Sequence, residues 1–184
     1  MELKRCCWAD PSLDLYTAYH DQEWGRPEHN DRKLFEMLIL EGFQAGLSWI
    51  TILKKREAFR KVFDDFDPSV VAGYGPEKLE ALMSDPGIVR NRRKIEASVT
   101  NASVFLEIQK EFGSFDRYLW DFTQGQIILN TDDVVRASSN LSDRISADLK
   151  RRGMKFVGTV IIYSFLQAVG VVNDHEMDCW RYPH

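Results

Sequence analysis

Beyond Pro86-Gly87 the apolar residues Ile95, Val99, Ala102 and Leu106 step by four, three and four. An α-helix gathers that rhythm onto one face. The same rhythm recurs along most of the chain. Asn30 suits the N-cap of a helix carrying Leu34, Phe35, Leu38 and Phe43, and a second helix is predicted from about 47 to 63. "DPSVVAGYGPEKLEALMSD" reads as a short helical turn and then a helix starting near Pro76, a residue suited to a first turn. Further helices are predicted over 114–122 and 142–152, the latter closed by Gly153 in left-handed conformation. Only "QIILN" has strand character, and one such segment makes no sheet. The predicted architecture is all-α.

With 184 residues the chain fits one globular domain, or a domain with a small subdomain. Its net charge of -4 excludes any global electrostatic argument for nucleic acid, so such a role needs a local basic surface. The most apolar stretch, 156–172, is interrupted by Thr159, Ser164, Gln167 and glycines, and reads as a buried helix rather than a membrane span. "MELKRCCWADP" has no apolar secretion-signal core, and three cysteines are too few for a disulfide scaffold. A cytoplasmic location, thiols that are free or metal-bound, and no membrane contact are expected.

Those cysteines and the four histidines concentrate at the two ends. Cys6 or Cys7, His20, His175 and Cys179 supply the thiolate and imidazole groups of a tetrahedral zinc site. The four-residue step from His175 to Cys179 puts both on one face of a helix. The alternative is that the thiols are small buried hydrophobes and the imidazoles are surface groups. His29 and His184 are spare. If zinc is held, its role is structural, since four protein ligands leave no open position, and it would clamp both termini together.

"LMSDPGIVRNRRKIEASV" places a tight break between two amphipathic helices. Gly87 in positive φ would leave the following amides free, and a helix N-terminus suits a phosphate. Arg90, Arg92, Arg93 and Lys94 add charge, although the same pattern fits a solvated αα-corner. Lys54-Lys55-Arg56 and Lys150-Arg151-Arg152 are expected on solvated faces. Of two acids in "LFEMLILEGFQAGLSWITILKK", Glu36 fits an ordinary surface position. Glu41, after Leu38-Ile39-Leu40, is drawn toward an apolar interior, where its pKa would rise. With Tyr16, Tyr19, Trp24 and Trp49 it would form an aromatic pocket for a flat, cationic, nitrogen-rich ligand, unless those rings are simply core.

"RCCW", "YHDQEWG", "LFEMLILEGFQAGLSWITILKKREAFR", "FDP", "DPGIVRNRRKI", "RGMKFVGTVIIYSFLQAVGVVNDH" and terminal Cys179 together resemble DNA-3-methyladenine glycosylase I, a family of helix-hairpin-helix DNA glycosylases. The resemblance spans nearly the whole chain and is least distinctive from about 112 to 146. It implies one domain over 1–184, the hairpin at about 76–102, and zinc-tethered ends at 1–25 and 170–184. It implies one structural Zn2+ on Cys6, His20, His175 and Cys179; Cys6 fits the pattern Arg-Cys-x-Trp better than Cys7. It also implies that Glu41 is the catalytic candidate through recognition of the damaged base, with Tyr16, Tyr19, Trp24 and Trp49 around it. Gly46 and Leu47 would approach the gap left by a flipped nucleotide, and Gly87, Ile88, Arg90 and Lys94 would hold DNA. The implied reaction is hydrolytic release of free 3-methyladenine from double-stranded DNA by a monomer, without strand cleavage.

Overall fold

The computed structural model describes residues 3–183, so His184 lies outside the described residues. The chain runs α1 (Asp14–Gln22), α2 (Asp31–Gln44), α3 (Trp49–Val62), a 3-10 turn at Asp64–Phe66, α4 (Pro68–Val71), α5 (Pro76–Ser84), α6 (Arg92–Phe112), α7 (Phe115–Asp121), β1 (Ile128–Leu129), α8 (Asn140–Arg151), α9 (Thr159–Ala168) and β2 (Val172–Asn173). The helix starts follow local chemistry. Asn30, Asp67, Asn91 and Ser114 each accept an amide of the first turn, and Ser139 closes a capping box with Ser142. Gly153 adopts φ +104 after α8, as its position suggested.

Every residue of α2 from Leu34 to Phe43 is buried. A helix apolar all round must be enclosed on all sides, and α3, α6, α7 and α9 do this. At its flank Phe35 meets Phe105 edge-on and Phe105 stacks on Phe115, with ring centroids 5.0 and 4.2 Å apart. Truncating one such ring to alanine costs about 3–5 kcal/mol. In α6 the buried face is Ile95, Ala97, Ala102, Val104, Phe105 and Ile108, while Val99 and Leu106 sit at its margin. The period was right and the stripe is rotated, because Phe105 has more area to bury than Leu106.

Two expectations fail. "QIILN" does find a strand partner: Ile128 and Leu129 pair in parallel with Val172 and Asn173. That partner lies in an apolar run that continues past the end of α9, where strand and helix are indistinguishable by pattern. His175 and Cys179 are not on a helix either; turns carry the chain from β2 to the carboxyl end. The ends nonetheless meet, with the Trp180 amide donating to the Lys4 carbonyl at 2.9 Å and the Cys7 amide to Glu176 Oε1 at 2.9 Å.

No helix among the described residues is long and apolar enough to cross a membrane.

Candidate active site and metal centre

Glu41 rides on the enclosed helix α2 and therefore points into protein, with 4% of its surface exposed. Its carboxyl has no hydrogen-bond partner among the described residues, and burial raises its pKa to about 8. Beside it opens a cavity of about 300 Å³ lined by Trp8, Tyr16, Tyr19, Trp24, Glu41, Gln44, Trp49, Val135, Arg136, Ser164 and Gln167. Tyr19 and Trp49 stand 5.5 Å apart, centroid to centroid, and Trp8 lies edge-on to Trp24 at 5.0 Å. The Tyr16 hydroxyl accepts the Ile50 amide at 3.1 Å, tying α1 to the start of α3. Burial, and then the charge of Glu41, raise the pKa of Tyr19 and keep it a neutral phenol. Trp49 Nε1 is buried beside the Tyr19 side chain, with no hydrogen bond of good geometry among the described residues. The Glu41 carboxyl is thus an unsatisfied acceptor in an aromatic cavity, at a cost to the free protein that a polar ligand would relieve.

A larger cleft of about 480 Å³ lies between the α1–α2 connection and α3. Its charges are already matched: Arg56 donates to both oxygens of Glu23 at 2.6 and 2.7 Å, and Arg60 to Glu36 at 2.9 Å. This corrects two expectations. Glu36 is buried rather than surface-borne, and Arg56 is enclosed by its ion pair rather than solvated. Arg152 is likewise drawn in, to Glu111 and Asp148.

Cys6, His20, His175 and Cys179 are all buried, with their ligand atoms within 4.8 Å of one another. Cys6 Sγ is 3.4 Å from His175 Nδ1, and Cys179 Sγ is 3.4 Å from His20 Nε2 and 3.6 Å from His175 Nδ1. Tetrahedral zinc with ordinary Zn–S and Zn–N bonds requires sulfur–nitrogen separations of about 3.5 Å. The remaining ring nitrogens are held by acceptors: His20 Nδ1 by Asp21 at 2.8 Å, itself bound by Arg5, and His175 Nε2 by the Trp24 carbonyl at 3.3 Å. Such outer partners fix which nitrogen faces a metal. Amides of Glu176 and Arg181 point at the two sulfurs, each at 3.4 Å. Burial depresses both histidine pKa values, His175 to about 4, which leaves the imidazoles neutral and able to ligate. Cys7 is exposed and outside the cluster. The group can hold a metal ion.

Helices α5 and α6 are joined by residues 85–91, and here the geometry departs from expectation. Gly87 does not adopt positive φ. Glycine is required instead by close approach, since a Cβ there would lie 2.9 Å from Ala58 Cβ and 2.8 Å from Asp85 Oδ1. Its amide is engaged by Asp85 at 2.6 Å, so the free amides are those of Ile88, Val89 and Arg90, which bond to nothing among the described residues. Ile88 is buried, so only its backbone is available. Arg90 and Arg93 are exposed without an ion pair among the described residues, whereas Arg92 is bound to Glu80 at 2.8 Å. Lys94 is 7% exposed and donates to the carbonyls of Phe43 and Ala45, which removes it from the outer surface. The turn 45–48 carries exposed Leu47, with Gly46 at φ +80.

The reading of residues alone missed Trp8, Gln44, Ser164 and Gln167 in the cavity. A signal existed for the last two: Ser164 and Gln167 stand three apart in the most apolar stretch of the chain, so they share a face of α9. For Val135 and Arg136, in a segment between β1 and α8, no periodic pattern could have served.

A family model described as methyladenine glycosylase matches residues 8–182. DNA-3-methyladenine glycosylase 1 of Escherichia coli K12 is 49% identical over 186 residues, covering 98% of this chain and 98% of that protein. A crystal structure of 3-methyladenine DNA glycosylase I superposes with a TM-score of 0.94 at 47% identity, covering 98% of this chain and all of the other. A tyrosine-to-phenylalanine variant of 3-methyladenine DNA glycosylase I, in complex with 3-methyladenine, superposes with a TM-score of 0.93 at 37% identity and covers 98% of each chain.

Proposed function

The chain belongs to the methyladenine glycosylase family and is a DNA-3-methyladenine glycosylase, and on that premise we propose how its residues perform the reaction. The substrate is double-stranded DNA carrying 3-methyladenine, and the products are free base and an abasic site. The target bond lies within the stack, so the nucleotide is flipped out at a cost of a few kcal/mol. Leu47 fills the space left behind. The free amides of the 85–91 turn and the exposed Arg90 grip backbone phosphate and offset part of that cost, as a helix-hairpin-helix element. Lys94 takes no phosphate.

The base enters the cavity beside Glu41 and stacks against Trp49 and Tyr19. Aromatic stacking contributes roughly 1–3 kcal/mol per base. Methylation at N3 makes the purine cationic. Beside it the Glu41 carboxyl ionises, because an opposite charge favours the charged form, and accepts from the exocyclic amino group. When the C1′–N9 bond breaks, its electron pair moves to N9 and neutralises the ring, so the base departs without a proton from the enzyme. Water adds at C1′ and loses a proton. No lysine acts as a nucleophile, so the reaction stops at the abasic site. Neutral adenine is a poor leaving group and finds no charge complement, hence selectivity.

Zinc on Cys6, His20, His175 and Cys179 ties the ends of a single domain, 1–184, and supplies no chemistry to the base. Cys6, Cys7 and Cys179 form no disulfide, which accords with a cytoplasmic location, and the protein acts as a monomer. The observation that carries the proposal is the unpartnered, buried Glu41 carboxyl inside an aromatic cavity of about 300 Å³. Incubation with methylated duplex DNA tests it: wild type releases 3-methyladenine and Glu41→Gln largely does not. A folded wild-type protein that releases no methylated base refutes it.

A further inference from the structure

Two turns are assigned to DNA above, 45–48 and 85–91, and each has carbonyls held by a lysine from the helix next to the other. Lys94, in the first turn of α6 just past the hairpin, donates to Phe43 O at 2.8 Å and Ala45 O at 2.7 Å, where α2 ends and the Leu47 turn begins. Lys55, on the helix that follows the Leu47 turn, donates to Pro86 O at 2.9 Å and Gly87 O at 3.2 Å. Ala58, three residues along α3 from Lys55, is the side chain against which Gly87 packs. The hairpin is thus seated on α3, and α3 opens with Trp49 of the base cavity.

The placement of Lys94 is costly on its own terms. A positive charge in the first turn of α6 opposes that helix's dipole. A buried ammonium also loses hydration worth several kcal/mol, and no carboxylate pairs with it among the described residues. What it gains is the carboxyl end of α2, whose last carbonyls lack helical partners and carry partial negative charge.

We propose that Lys55 and Lys94 form a reciprocal brace that joins the hairpin to the Leu47 turn as one rigid body, so that gripping phosphate drives extrusion of the nucleotide. Both are positioning residues; neither touches DNA. This rests on the reading of the chain as a nucleotide-flipping glycosylase.

Lys94→Met and Lys55→Met test it, through unfolding curves, fluorescence titration with free 3-methyladenine, binding to a duplex with a tetrahydrofuran abasic site across a salt series, and single-turnover release from methylated duplex. The expected result is a folded protein that binds free base within twofold of wild type but releases it from duplex about tenfold or more slowly, as misplacement of a positioning element does. The slope of log affinity against log salt stays that of wild type. A slope shallower by about 0.9 in Lys94→Met means that its ammonium meets a phosphate, and overturns the proposal. So does wild-type release by both folded variants. If Lys94→Met fails to fold, Lys55→Met, whose side chain is only half-buried, carries the comparison alone. A wild-type protein that releases no base defeats the parent reading instead, and the salt series still judges the brace.

Discussion

The Cys/His cluster and the Glu41 cavity are neighbours that share α1 and the segment before it, yet they treat polar atoms in opposite ways. In the cluster both outer imidazole nitrogens have acceptors and both sulfurs face amides. In the cavity the Glu41 carboxyl is buried with nothing to bond among the described residues. The first arrangement is complete but for an ion that four converging ligands would enclose. The second is complete only with a ligand that comes and goes. On the proposed reading, satisfaction of buried polar groups separates a structural centre from a working one, although both are apolar-walled and contain perturbed titratable groups.

Removing a metal ligand should produce the largest effect. Cys179→Ser is expected to lose about 3–5 kcal/mol of stability, part of the roughly 10 kcal/mol that structural zinc contributes in small peptides. Elemental analysis should find about one zinc per chain in wild type and denaturant unfolding should show the loss. A metal-free wild type of undiminished stability would erase the contrast between the two centres.

In the cavity the sign reverses. Glu41→Gln should lower release of 3-methyladenine about 100-fold, as loss of one charged contact in a dry site does, while raising stability. The sign follows from linkage. Folding raises the Glu41 pKa from about 4.3 to about 8, so its contribution is fully present below the unfolded value and is lost as pH climbs toward 8. The glutamine variant cannot ionise; it should match wild type near pH 4 and be the more stable of the two at pH 8, the gap widening as pH rises between them. Thermal unfolding at the two pH values measures this, and a variant less stable than wild type at pH 8 would mean that Glu41 has a partner.

The same group predicts a pH profile. If the ionised carboxyl is the competent form, kcat/KM, which reports the free enzyme, falls as pH drops below about 8, and the limb is absent in Glu41→Gln. The smallest effect is reserved for Trp49→Phe, which keeps an aromatic face but reduces the stacking surface. Stability should change by less than about 0.5 kcal/mol while release falls roughly fivefold, about 1 kcal/mol. An equal loss in both would make Trp49 ordinary core.

Much of this was legible beforehand. Helix rhythm and caps located nearly every helix, because backbone preference and amphipathic period act over a few residues. The ligand quartet and Glu41 with its aromatic neighbours were named from residue type and resemblance. The hairpin shows where that reading stops. Lys94 looked like a DNA contact because it stands in a basic run, and Gly87 looked like a positive-φ turn because it follows proline.

What the order of residues determined by itself was the set of helices, their capping, and the chemistry available at the two ends and around Glu41. Only the tertiary structure decided which of Cys6 and Cys7 faces the cluster, which strand receives "QIILN", that Arg56 and Glu36 are enclosed, and that Lys94 turns inward. Those outcomes depend on partners 24 to 170 residues away, such as Arg60 for Glu36 and Glu176 for Cys6. A local pattern holds no information about which distant carbonyl, sulfur or carboxylate will stand within 3 Å, and in a low-dielectric interior that identity settles where a polar side chain goes.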